Sequence, residues 1–194
     1  VFGNLDLIGD GIVLPQAIAS EQLFADPANY NAVPVILGTN RDEMKLFLSF
    51  SPDQVDKFMG IPIAIKNSGR YQAFSSYASD QWKIKAVDQL ATVMRQGQGD
   101  NVFAYRFDAD DLRDFGFLSL QELMGAAHAF EIPYVFGNFV SLMSNLIHPE
   151  SARAARNALS QSMMSYWASF AHYGEPAKGY HGKQVEWGTW SNND

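Results

Sequence analysis

The sequence predicts an α/β fold, a mostly parallel sheet flanked by helices, of which this chain holds only part. Three observations carry that reading. Apolar, β-branched runs alternate with stretches of helical periodicity, the pattern of strand–helix–strand units. Two of these runs, residues 33–37 and 102–107, read convincingly as strands. A parallel pair alone covers neither its faces nor its edges, so the rest of the sheet is expected on another piece of protein.

The elements follow in order. Asp10-Gly11 and Pro15 mark a turn-rich opening, with a short helix expected over residues 15–25. Pro34 sits near the start of the first strand, where a strand tolerates it, and Gly38-Thr39-Asn40 is expected to end the strand. Residues 42–50 read as a helix with Met44, Phe47 and Leu48 on one face. Ser51-Pro52-Asp53 reads as a helix start with proline at its first position, and Asn67-Ser68-Gly69 as a break. Ser79-Asp80 reads as the N-cap of a helix with Trp82, Ala86, Val87, Leu90 and Met94 inside and Gly97 at its stop. After the second strand comes an acidic loop over residues 108–114. The longest helix is expected over residues 149–173, ended by Gly174, with Ala152, Ala155, Leu159, Met163, Tyr166, Trp167 and Phe170 at helical spacing. Trp187 and Trp190 lie on a short extended tail.

Composition narrows the function. The 194 residues suffice for one domain with a sizeable core. Apolar residues make up 47%, yet no apolar run nears the roughly 20 residues of a membrane span. The net charge of −7, with Lys and Arg scattered, argues against nucleic acid as a partner. With no cysteine, disulfides, thiolate metal sites and cysteine nucleophiles are excluded, and the compartment stays open. The chain starts at Val1 inside structured-looking sequence and stops abruptly. A fragment at both ends is the expectation, and a mature domain with trimmed termini the alternative.

Chemistry concentrates in two segments, VPVILGTNRDE at 33–43 and GAAHAFEIPYVFGN at 125–138. The first delivers Glu43 just past a strand's carboxyl end, where open α/β sheets collect their active sites. A carboxylate there can orient a histidine, or it can simply favour a helix N-terminus, as its neighbour Asp42 can. Asp42 shares the charge and the helix start without the proposed role, so Asp42→Asn is expected to lose little. The second segment sets His128 among Gly125, Ala126, Ala127 and Ala129, leaving room for a substrate. A lone loop histidine is also often structural. Glu131, among Phe130, Ile132 and Pro133, reads as a partly buried structural acid in need of a hydrogen-bond partner.

The other histidines lack metal-binding spacing: His148 could cap the long helix, His172 lies near that helix's end, and His181 is in a polar loop. The acidic run Asp108, Asp110, Asp111 and Asp114 fails the calcium-loop pattern and reads as a solvated loop. Acid before histidine is the order of the last two members of a Ser…Asp/Glu…His triad, yet G-x-S-x-G is absent, as are an HGGG-type loop, G-x-G-x-x-G and a P-loop.

Together these segments resemble the type B carboxylesterase/cholinesterase family of α/β-hydrolases. Supporting matches are Asp10-Gly11 with Pro15, Ser79-Asp80-x-Trp82, Val102-x-x-Tyr105-Arg106-Phe107, and Tyr166-Trp167-x-x-Phe170-Ala171 with Gly174-x-Pro176. The resemblance implies the C-terminal part of an α/β-hydrolase fold, with residues 1–194 as one segment of a single domain. It implies a carboxylic ester hydrolase with a Ser-His-Glu triad: Glu43 as acid, His128 as base. The serine and oxyanion hole would lie on an N-terminal segment of the same esterase, the partner this chain needs. The substrate would be a small ester, and no cofactor is implied. The alternative is a catalytically inactive cholinesterase-like binding or adhesion domain. Three departures stand out. Met44 replaces the usual glycine after Asp-Glu, Ala129 replaces the usual glycine after the histidine, a mild crowding, and the stretch between Glu43 and Asp80 is short.

Overall fold

The computed structural model describes residues 9–13, 16, 21–140 and 146–192. The expected opening helix lies largely outside these residues; its end is helical at α1 (Glu21–Phe24). Pro15 also lies outside them. Asp10 forms the expected turn, its carboxylate accepting the backbone N–H groups of Ile12 and Val13.

The sheet that positions the site has β1 (Val35–Asn40) parallel to β4 (Val102–Phe107), pairing Val35 with Val102 through Asn40 with Phe107. The first strand therefore begins after Pro34, and Gly38, Thr39 and Asn40 are its last rungs rather than its stop. Gly38 faces its register partner Tyr105. A Cβ at Gly38 would lie 1.9 Å from Tyr105 Cε1, so the glycine makes room for that ring.

Between the two strands the chain makes α2 (Glu43–Leu48), a hairpin of β2 (Val55–Phe58) and β3 (Ile61–Ile65), and α3 (Ser68–Lys83). The hairpin replaces the helix start expected at Ser51-Pro52-Asp53. Its two turn residues, Met59 and Gly60, both have positive φ, at 50° and 84°. Methionine is an unusual residue for such a turn. A bulge beside Pro62 breaks the regular pairing, so the alternation of Ile61, Ile63 and Ile65 is easily overlooked.

The helix expected from Ser79 starts eleven residues earlier. Asn67 caps it, accepting the Arg70 N–H at 2.8 Å. It runs through a π-helical turn at Ile84–Asp88 into α4 (Gln89–Gln98). The π-turn shifts the sequence phase of the buried stripe: Tyr71, Ser75 and Ser79 turn inward before it, Val87 within it, and Ala91 and Met94 after it. Trp82 and Ala86, expected inside, are exposed. The C-cap is Gly99, at φ +68°, not Gly97. Gly97 instead lies against the Pro27 ring, 3.0 Å from where its Cβ would be.

After β4 come α5 (Leu120–Leu123), α6 (Ile132–Phe136) and α7 (Arg153–Tyr173), with Gly174 left-handed at the end of α7 as expected. A single 3₁₀ turn, Glu150–Ala152, leads into α7. Trp167 and Phe170 meet Tyr105 and Phe103 edge-on, at 5.2 and 6.1 Å between ring centroids. Ala155 and Leu159, which share the helical spacing, are exposed. The tail returns along β4, where the Trp190 N–H bonds Val102 O and the Trp187 indole N–H bonds Ala104 O. Among the described residues the buried apolar side chains form clusters around Tyr71, Tyr134 and Ala91.

Candidate active site

The parallel pairing of β1 with β4 brings the acid and the histidine together. The ladder continues one residue past β1, as Arg41 N bonds Phe107 O at 2.9 Å. Glu43 is then the first residue of α2. No glycine is needed after it: Met44 is helical, its N–H donates to Ser79 Oγ at 3.1 Å, and its side chain joins the cluster around Tyr71. The serine expected to cap its own helix thus satisfies the start of another.

Glu43 is buried, at 5% exposure. Its Oε1 accepts the Asn40 N–H at 2.7 Å and the Thr39 hydroxyl at 3.2 Å. Its Oε2 lies 2.7 Å from His128 Nδ1. A carboxylate only accepts, so Nδ1 carries the proton and Nε2 keeps its lone pair. The His128 side chain is 40% exposed. Phe47 and Trp82 flank its ring, with centroids at 5.4 and 5.5 Å. Phe47, expected on one helix face with Met44 and Leu48, is 41% exposed here.

Asn40, the last residue of β1, and Asp42 just beyond it hold the histidine loop. Asn40 Nδ2 donates to Ala127 O at 2.7 Å and to Glu131 Oε2 at 2.5 Å, giving Glu131 the partner its burial demands. Asp42 is tied in as well, with its N–H on Ala126 O and its carboxylate accepting the Ala126 N–H, both at 3.0 Å. Burial pushes the Asp42 pKa up, but Lys45, the Ala126 N–H and Arg41 outweigh it and hold the carboxyl below its usual value. Asp42 is therefore not the interchangeable surface acid that the sequence suggests. Ala129 lies in the left-handed region, at φ +69°, so alanine after the histidine brings backbone strain rather than mild crowding. Behind the site, burial and then the Glu131 and Glu43 carboxylates push the Tyr105 phenol up to about 12.

The remaining candidates stand apart. His148 is buried against Tyr134 and Phe139 rather than capping α7, and burial, then the Arg156 charge, lowers its pKa. His172 and His181 pack against Tyr180. In the acidic loop Asp108, Asp111 and Asp114 are exposed, as expected of a solvated loop, with Asp110 paired to Arg41 and Asp108 to Arg106. No cluster of three or more metal-ligating side chains occurs among the described residues. A cavity of about 690 Å³ between β4, α7 and the tail contains neither Glu43 nor His128. Thr39, Asn40, Asp42 and Trp82 were legible as residues but not as partners of the site, because strand pairing and a π-turn set their positions.

Residues 63–194 match the model of the carboxylesterase family. The chain belongs to that family. Among solved structures, this carboxylesterase-family chain is similar to a PNB esterase, at 25% identity and a TM-score of 0.52, with 88% of this chain and 34% of that one covered. A thermophilic PNB esterase gives 24% identity and a TM-score of 0.54, with 88% and 35% covered. Aspergillus niger EstA gives 19% and 0.55, with 87% and 35% covered. The likeness is one of fold, that of the α/β-hydrolase esterases, and the chain spans about a third of their length. No helix among the described residues is long and apolar enough to cross a membrane.

Proposed function

We propose that residues 1–194 are the C-terminal segment of a single carboxylesterase domain, supplying Glu43 and His128 of a Ser-His-Glu triad. The serine and the oxyanion hole belong to an N-terminal segment that packs on this chain. One observation carries the reading: the 2.7 Å contact between His128 Nδ1 and the buried Glu43 carboxylate. Held in that tautomer, His128 Nε2 takes the proton of the serine hydroxyl as it attacks the ester carbonyl. The imidazolium beside Glu43 then returns the proton to the leaving alcohol, and the same base activates water to release the acyl group.

Two features support the missing segment. The sequence holds no G-x-S-x-G. Phe50, Phe58, Met59, Ile61, Phe117 and Phe136 are each more than half exposed, as expected of surface made to be covered.

The test uses the enzyme assembled with its N-terminal segment. A fluorophosphonate should label that segment and leave residues 1–194 unlabelled. His128→Ala should lower hydrolysis of a p-nitrophenyl ester roughly a thousandfold or more. Stoichiometric labelling of a serine in this chain, or a fully active His128→Ala, refutes the proposal.

A further inference from the structure

Building on the triad reading, we infer that Asp42 is a positioning residue that holds the histidine loop at hydrogen-bonding distance from Glu43. It stands next to Glu43 in sequence and reaches the loop two residues before His128. The contact runs both ways. The backbone N–H of Asp42 donates to Ala126 O, and the Asp42 carboxylate takes back the Ala126 N–H. These bonds fix position 126 against position 42 in both directions, and Asp42 also forms a parallel bridge with Ala127.

The carboxylate is itself held. Lys45 Nζ, on a side chain 7% exposed, lies 3.2 Å from Oδ1. Arg41 Nε and Nη2 reach Oδ2 at 3.0 and 2.8 Å, and Arg41 is anchored in turn on Asp110. Gly125 lets the loop come this close: its φ is +52°, and a Cβ there would sit 2.3 Å from Asp42 Oδ2. On the far side of α2, the Tyr71 hydroxyl lies 2.7 Å from Leu123 O and 3.2 Å from Lys45 O, tying the start of the loop to the same helix.

The loop needs such restraint. Ala129 is strained, and a strained residue persists only where its surroundings over-determine it. Asn40 restrains the loop at Ala127 and Asp42 at the adjacent Ala126. Released from Asp42, the loop could relax Ala129 by rotating His128 away from Glu43. A displacement of an ångström at a catalytic group can lower turnover about a hundredfold.

The experiment compares two double variants of the full enzyme, with kcat expressed per fluorophosphonate-titrated site. Asp42→Asn with Lys45→Met keeps an acceptor for the Ala126 N–H and leaves no unpaired charge. Asp42→Ala with Lys45→Met removes the acceptor. The first should keep kcat within about threefold of wild type, and the second should lose at least about tenfold with KM unchanged. Equal kcat per site in both, whatever their stabilities, overturns the inference. If the alanine protein does not fold, Asp42→Glu keeps the charge but displaces the acceptor: reduced kcat at unchanged KM supports the inference, and wild-type kcat overturns it. His128→Ala measured alongside separates the two readings. If it stays active, the triad reading fails; if it is dead while the Asp42→Ala pair is fully active, only the positioning role fails.

Discussion

Ala129→Gly is a substitution whose sign runs against habit. Replacing alanine by glycine ordinarily destabilises by about 0.5–1 kcal/mol in regular structure. At φ +69°, however, the alanine pays a left-handed penalty of about 1–2 kcal/mol that glycine does not. Against this stand about 0.4–1 kcal/mol for the greater freedom of the unfolded glycine chain and about 0.4 kcal/mol for a half-buried methyl group. The balance favours glycine by about 0.5 kcal/mol. Urea unfolding of the full enzyme with and without the substitution reads this difference. Activity should stay within about twofold, because Asn40 and Asp42 hold the loop on the other side of His128. A loss of about 1 kcal/mol, as at a negative-φ site, would refute the strain argument.

Two further substitutions test the frame of the site. Gly38→Ala drives a methyl group into the Tyr105 ring and should destabilise the enzyme by at least about 2 kcal/mol in urea unfolding. In a Tyr105→Ala background it should be nearly neutral, and an equal loss there contradicts the assigned contact. Asp42→Asn leaves Lys45 buried without its partner and should cost about 3 kcal/mol at pH 7. Because the folded-state pKa of Asp42 lies below its ordinary 3.8, the charged pair stabilises fully above that value, and the contribution is lost as pH falls through the lower, folded pKa. The gap between wild type and variant in urea midpoint should therefore narrow in acid; a gap that stays constant counts against the pairing.

The sequence was most legible where local chemistry and tertiary structure agree. β4 has its expected bounds, and α7 ends at Gly174 as its pattern requires. Glu43 and His128 are found together because each lies in a short, distinctive segment tied to a strand end. The misses arise where a distant partner decides. Gly38 looks like a terminator until Tyr105 is seen across the ladder. Ser79 looks like an N-cap of its own helix, yet its hydroxyl serves the Met44 N–H. Asp42 looks like a surface acid because Ala126 and Lys45 become its partners only once β1 and the histidine loop are adjacent. The hairpin escaped because Pro62 and Met59 blur the two signals, alternation and turn chemistry, that define one.

The central claim is that the Glu43 carboxylate fixes the proton of His128 on Nδ1. Glu43→Gln tests it most directly. The amide can still accept the Asn40 N–H, but it can also turn a donor toward Nδ1, which moves the imidazole proton to Nε2 and leaves no base for the proposed serine. In the full enzyme, kcat for a p-nitrophenyl ester should fall by about 10⁴-fold with the urea midpoint nearly unchanged. A Glu43→Gln enzyme that folds and keeps near-wild-type kcat would contradict the account.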